Sequence, residues 1–280
     1  MKGNVIVGQS GGPTAAINSS LAGVYRTAKD RGANKVYGML FGIQGLLQER
    51  YIDLSEYITN DLDTELLKRT PAAFLGSCRY KLPEIHENKD VYEKIFSILE
   101  KLDIEAFIYI GGNDSMDTIK KLSDYAIVTG YRTRFIGCPK TIDNDLALTD
   151  HTPGYGSAAK YIGTSMKEII RDSFCLEYGK GLVSIVEIMG RNAGWLTGAA
   201  ALAKGEDCLG PDLIYLPELP FDIEAFSEKV KDLLAKKPSV VVAVSEGIRL
   251  ADGRYVCELG QSIDFVDAFG HKQLSGTANY

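Results

Sequence analysis

The stretch Arg134-Phe-Ile-Gly-Cys-Pro139-Lys140-Thr141-Ile142-Asp143-Asn144-Asp145 decides how the chain is read. Residues 134–138 are mostly apolar and predict a buried strand. Proline then stops the strand, and an ammonium, a hydroxyl, two carboxylates and an amide follow within a few residues. In open α/β sheets, ligands bind at the carboxyl ends of strands. Lys140 beside Asp143 and Asp145 suits phosphate chemistry, the cation meeting phosphoryl oxygens and the carboxylates a metal or a proton. The same residues also read as a polar loop capping the next helix, with Asp143 or Asp145 as N-cap.

Working outward, the pattern of a strand end, a glycine turn and a helix recurs. Asn4-Val-Ile-Val7 runs into Gly8-Gln-Ser-Gly11-Gly12-Pro13 and then a small, apolar, helix-patterned segment to residue 28. Ile104-Glu-Ala-Phe-Ile-Tyr-Ile110 runs into Gly111-Gly112-Asn113-Asp114-Ser115, and Gly181-Leu-Val-Ser-Ile-Val-Glu-Ile188 into Met189-Gly190-Arg191. Such turns aim backbone N–H groups and a helix dipole at an anion. Equally, each serves as a tight connection, and the first has neither Walker nor dinucleotide spacing. Further strands are expected at residues 35–40, 213–216 and 240–244. Helices are expected at 91–102, 116–122, 157–174 and 196–203, and a flexible loop at 41–45. Strands alternating with helices predict parallel, doubly wound α/β sheets. The junction Thr152-Pro-Gly154 is the expected hinge to a second βα domain.

Several residues read two ways. Arg79, after Gly76-Ser77, is either a phosphate ligand or a solvated loop side chain. Arg171 near the end of its helix either complements the helix C-terminus or reaches a ligand. His271 is either an anion ligand or a surface-loop histidine.

Composition removes some classes. The 280 residues carry a net charge of −6 with 45% hydrophobic and 24% charged residues, ordinary for a globular protein. The absence of a block of like charges argues against a general nucleic-acid surface. No apolar run approaches membrane-spanning length, and the N-terminal residues have no signal-peptide pattern. Five widely spaced cysteines without a Cys-x-x-Cys pair argue against a disulfide framework or zinc site. A cytoplasmic location follows as the expectation.

Taken together, Gly8–Pro13, Phe74-Leu-Gly-Ser-Cys-Arg79, Gly111–Ser115, Pro139–Asp145, Met189–Arg191, Ser245-Glu246-Gly247 and Gly270-His271 resemble the 6-phosphofructokinase family, in order along essentially the whole chain. The resemblance implies two Rossmann-like α/β domains with the active site in the cleft between them. It implies a donor-binding domain over residues 1–152, a fructose-6-phosphate-binding domain over 153–270 and, over 271–280, the start of a return to the first domain. By resemblance, Asp143 is the general base, and Lys140 and Arg191 act on the transferred phosphoryl group. Gly11, Gly12, Arg79, Gly112 and Asp114 take the donor side. Thr141, Asp145, Met189, Gly190, Glu246 and His271 take the fructose 6-phosphate side, with Arg171 reaching the sugar phosphate of a neighbouring subunit in a homodimer or homotetramer. Mg²⁺ is the implied cofactor, with Asn113 and Asp114 as ligands. Asn113 departs from the family's usual aspartate and brings an oxygen without charge.

Asp114 and Lys140 stand where ATP-using members have glycine. A carboxylate at 114 obstructs the path of a nucleoside, and an ammonium at 140, paired with Asp114, suits a small, highly charged donor. The expected reaction is therefore phosphoryl transfer from pyrophosphate to the 1-hydroxyl of fructose 6-phosphate. The alternatives are ATP-dependent transfer, a related lipid or NAD kinase, and a non-catalytic sugar-phosphate-binding module. Family members run on well past Tyr280, so the chain is expected to be a fragment.

Overall fold

The computed structural model describes residues 3–176, 179–259, 274 and 276–279. Among these, contacts divide the chain into two units, Met1–Thr141 and Ile142–Tyr280. The division falls within the Lys140 stretch, between Thr141 and Ile142, before the Thr152-Pro-Gly154 junction expected as the hinge.

Unit 1 is built on a five-stranded sheet. Its strands are β1 (Asn4–Gln9), β2 (Val36–Met39), β3 (Tyr51–Asp53), β4 (Ile104–Gly111) and β5 (Arg134–Pro139), in the order β3-β2-β1-β4-β5. Strands β1, β2, β4 and β5 are parallel, whereas β3 pairs antiparallel with β2. The sheet is thus mixed rather than wholly parallel: a three-residue strand with one polar end gives too short an alternation to read. Side chains alternate across β1 and β4, so each strand feeds two cores. Val5, Val7, Ala106 and Ile110 pack with α1 (Ile17–Asp30) and Leu67 of α3 (Asp61–Arg69). Ile6, Phe107 and Tyr109 pack with Phe96 of α4 (Lys89–Lys101) and with Leu122 and Tyr125 of α5 (Asn113–Thr129). Helices therefore cover both faces. Each large apolar side chain so buried contributes about 1.5–3 kcal/mol.

Two expectations change here. Residues 41–45 are not a flexible loop: Gly42–Leu46 forms a short helix, α2, whose Ile43 and Leu46 are buried in the core and whose Ile43 N–H donates to Tyr109 Oη at 3.2 Å. Strand β5 is not buried. It is the edge of the sheet, and Ile136 is 48% exposed. Pro139 fits that edge, where a missing N–H breaks no ladder, and it remains paired with Gly111 as the last residue of the strand.

Unit 2 has a three-stranded parallel sheet of β6 (Leu182–Ile188), β7 (Leu213–Tyr215) and β8 (Ser239–Ser245), ordered β6-β8-β7. One face carries Ile188, Val241 and Ala243 against Met166 of α6 (Tyr155–Cys175) and against Leu196 of α7 (Trp195–Gly198). Past Gly198 the expected helix tightens to a 3-10 turn, Ala199–Ala203. A further helix, α8 (Ile223–Leu234), lies outside the helices expected from pattern, although the Asp222 side chain caps it through Ala225 N–H.

The entry into unit 2 is shaped by Asn144. It is buried at 5% exposure with φ of +58°, a conformation that asparagine tolerates better than most residues. Its Oδ1 accepts from Thr152 N–H at 2.9 Å and its Nδ2 donates to Asp150 C=O at 3.1 Å, closing the loop that carries Asp143 and Asp145. Asn144→Gly keeps the left-handed backbone and loses both bonds, at about 1 kcal/mol each. Asn144→Ala loses the bonds and adds about 1–2 kcal/mol of left-handed strain. Urea unfolding is expected to rank wild type above Gly and Gly above Ala; an Ala variant as stable as the Gly variant contradicts this account.

Candidate functional site

In unit 1, the loops at the carboxyl ends of β1, β4 and β5 converge. The switch in strand order lies between β1 and β4, where doubly wound sheets open a crevice. Ser10 N–H donates to Ile110 C=O at 2.9 Å, and Lys140 N–H to Gly111 C=O at 2.9 Å, fastening the three strand ends together. Gly11 has φ of +76°, and a Cβ there would sit 3.3 Å from Lys140 Nζ, so a side chain meets both backbone strain and the ammonium.

Lys140 is only 7% exposed, and its Nζ donates to Gly12 C=O at 2.5 Å. A buried ammonium is costly unless it is held by oxygens. The sequence suggested that Lys140 pairs with Asp114. Instead the ammonium lies on the Gly12 carbonyl, and the Asp114 carboxylate has no ion-pair partner among the described residues. Asp114 is half-buried in the first turn of α5, where a carboxylate complements the helix dipole, and Asn113 beside it is exposed. Gly112 is the N-cap of α5 and has no side chain to cap the first-turn N–H groups.

Arg79 is exposed on the adjoining loop. That loop is tied to the glycine turn by Gly11 N–H to Cys78 C=O at 3.2 Å and by Ser77 Oγ–H to Gly11 C=O at 2.5 Å. It is tied to α5 by Lys121, whose Nζ donates to Leu82 C=O at 3.1 Å and pairs with Glu84 and Asp117, each at 2.8 Å. Burial works against the Lys121 charge, but bonds to Asp117 and Glu84 outweigh it and raise the ammonium's pKa above the ordinary lysine value. Thr141, next along the chain, is half-buried.

In unit 2, the ends of β6 and β8 are adjacent, so Met189-Gly190-Arg191 and Ser245-Glu246-Gly247 meet. Gly190 N–H donates to Glu246 Oε1 at 3.1 Å, and Ser245 Oγ–H to Gly190 C=O at 2.6 Å. A Cβ on Gly247 would lie 1.9 Å from Arg191 C=O, a distance no side chain can occupy. The two loops therefore touch backbone to backbone. Met189 is 57% exposed and Arg191 half-buried. Asp143 is half-buried with its Oδ1 shielded from solvent, while Asp145 is exposed.

Arg171 is not with this group. Its Nη1 donates to Asp207 C=O at 2.6 Å, beside a cavity of about 450 Å³ that is also lined by Asp212 and Ser239, at the amino ends of β7 and β8. His271 lies outside the described residues.

Ser77 and Asn144 were not legible as site builders, because each acts through a backbone partner distant in the sequence or looped back upon it. The described residues contain no group of three or more His, Cys, Asp or Glu able to hold a metal. Asp114 and Asn113 nevertheless offer hard oxygen donors of the kind Mg²⁺ accepts when phosphates and waters complete its shell. No described helix is long and apolar enough to cross a membrane.

Comparison with known proteins gives the same family. The phosphofructokinase family model matches residues 4–280. A pyrophosphate–fructose 6-phosphate 1-phosphotransferase of Xanthomonas campestris pv. campestris is 43% identical over 278 residues, 99% of this chain and 65% of that protein. One of the same name from Rhodospirillum rubrum is 42% identical over 278 residues, 99% of this chain and 66% of its own length. The crystal structure of a pyrophosphate-dependent phosphofructokinase from Nitrosospira multiformis superposes with a TM-score of 0.81 at 38% identity, covering 90% of this chain and 62% of that one. The chain thus spans less than two thirds of the length of these relatives. With the strand-end glycine turns, the buried Lys140 and the joined Gly190 and Glu246 loops all in one sequence order, the chain belongs to the phosphofructokinase family.

Proposed function

We propose that the chain is the catalytic part of an enzyme that transfers a phosphoryl group from pyrophosphate to the 1-hydroxyl of fructose 6-phosphate. The observation that carries this reading is Lys140, an almost buried ammonium resting on the Gly12 carbonyl beside the uncapped start of α5. Such a place rewards a compact, highly charged anion. Asp114 stands at the same helix start and leaves poor passage for the remainder of a nucleotide. The names of the relatives that match 99% of the chain support the same donor and acceptor.

Unit 1 then supplies the donor groups: the Gly11–Gly12 turn, Gly112, Arg79 and Lys140. Unit 2 supplies the acceptor groups: Met189, Gly190, Arg191 and Glu246, with Thr141, Asp145 and His271 completing the sugar side. Asp143 takes the proton from the 1-hydroxyl as its oxygen attacks the nearer phosphorus. The bridging P–O bond breaks, and inorganic phosphate leaves with the electron pair. Lys140 and Arg191 offset the charge on the phosphoryl oxygens. Asp114 and Asn113 would hold Mg²⁺, which when bound neutralises phosphate charge. Arg171, apart from these residues, serves the sugar phosphate of a second copy in a homodimer or homotetramer. The reaction is assigned to the cytoplasm.

Turnover of fructose 6-phosphate with Mg²⁺ and either donor tests the reading. Pyrophosphate is expected to support formation of fructose 1,6-bisphosphate and ATP to fail; turnover with ATP alone overturns the donor assignment, and sugar-phosphate binding without turnover leaves a binding module. Asp114→Gly combined with Lys140→Gly is expected to move the preference toward ATP. For the base, Asp143→Asn should lower kcat by roughly 10²–10⁴-fold while fructose 6-phosphate still binds; a kcat near wild type rules Asp143 out. Restoring charge by Asn113→Asp should lower the Mg²⁺ concentration for half-maximal rate, and an unchanged titration removes Asn113 from the metal site.

A further inference from the structure

Glu246 is held from three directions. Its N–H donates to Ile188 C=O at 3.0 Å, its Oε1 accepts from Gly190 N–H at 3.1 Å, and its C=O accepts from Thr277 Oγ–H at 3.1 Å. Thr277 comes from a short 3-10 turn, Thr277–Asn279, distant in sequence, and its side chain is buried at 5% exposure. That turn is itself fixed by a single carboxylate. Glu187, the penultimate residue of strand β6 before the Met189 loop, accepts Gly276 N–H at 3.1 Å on Oε1 and 3.2 Å on Oε2, and Ala278 N–H at 2.9 Å on Oε2. Glu187 lies opposite Val244 in the ladder and shares its sheet face with Val183 and Ile185.

We propose that Glu187 and Thr277 are positioning residues for sugar-phosphate recognition: Glu187 clamps the Gly276–Ala278 turn on β6, and Thr277 carries that restraint to Glu246. The inference rests on the fructose 6-phosphate reading of unit 2. Its chemistry follows from the donors. Two backbone N–H groups of one turn converge on one side chain, and only an ionised carboxylate offers acceptors to both without presenting a donor. Such bonds are roughly twice as strong as neutral ones. Glu246 thereby reaches ligand with its backbone already fixed at N–H and C=O. Its Oε2, which accepts nothing from the described residues, remains for a sugar hydroxyl. Preorganised acceptors of this kind lose little freedom on binding, so loosening the clamp appears as lost affinity for the sugar phosphate and not for the donor.

A clamp and a merely structural carboxylate differ in what they move. Calorimetric titrations of fructose 6-phosphate and of Mg²⁺-pyrophosphate into wild type, Glu187→Gln, Thr277→Val and Thr277→Ser separate them, with amide hydrogen exchange on the ligand-free proteins. Glu187→Gln and Thr277→Val are each expected to weaken fructose 6-phosphate about five- to tenfold, the scale of one lost hydrogen bond to a positioned group. Pyrophosphate affinity stays within about twofold, exchange quickens over residues 245–249 but not over 104–111, and Thr277→Ser behaves as wild type. Unchanged fructose 6-phosphate affinity in both variants overturns the clamp while leaving the proposed function standing. Equal weakening of both ligands also overturns it, since that marks general loosening. Wild type that binds no fructose 6-phosphate overturns the functional reading and the clamp with it.

Discussion

The contact between the Lys140 ammonium and the Gly12 carbonyl is the constraint on which unit 1 depends. An ammonium at 7% exposure has lost most of its water, and the Gly12 carbonyl is among the groups that stand in for it. That demand fixes how near the β5 end comes to the glycine turn after β1, and it leaves little room for a Cβ at Gly11, whose φ of +76° already favours glycine. The Lys140 N–H to Gly111 bond draws the β4 turn into the same place. Packing on both faces of the sheet holds the strands, but this polar contact sets the shape of their carboxyl ends. The Lys140 side chain at the strand ends, next to the first turn of α5, is the basis of the proposal that the place takes phosphate.

Unit 2 solves a similar problem without a buried cation. Its two strand-end loops approach so closely that Gly247 faces the Arg191 carbonyl, and hydrogen bonds from Gly190 and Ser245 join them. The side chains proposed for the sugar side thus sit on backbone that is already paired. Rigidity of this sort matters because affinity for a small polar ligand depends on groups that need not be ordered on binding.

Much of this was legible in the sequence, for physical reasons. Strands β1, β4, β6 and β8 are apolar runs ended by Gly-Gly, Met-Gly-Arg or Ser-Glu-Gly, and strand-end glycine turns followed by helical patterns point to doubly wound sheets. The local motifs therefore pointed to the strand ends that gather in each unit. What was hidden depended on partners remote in sequence. Strand β5 read as buried from its own residues, but exposure is decided by its single neighbour, β4. Gly42–Leu46 read as a loop because its glycines disfavour helix, until Ile43 and Leu46 are seen filling the core beside Tyr109. The pairing of Lys140 with Asp114 was an inference from charge; the Gly12 carbonyl, which carries no sequence signature, took the ammonium instead. Glu187 looked like one polar residue in a strand, and its purpose is visible only with Gly276 and Ala278 beside it.

The central claim is that the Lys140–Gly12 contact builds a site for a small phosphate donor. Calorimetric titration of Mg²⁺-pyrophosphate and of Mg²⁺-ATP into wild type and Lys140→Met measures it directly. The account predicts that pyrophosphate binds wild type more tightly than ATP does, and that Lys140→Met loses about tenfold or more for pyrophosphate. Tighter binding of ATP to wild type, or an unchanged pyrophosphate affinity in Lys140→Met, would contradict it.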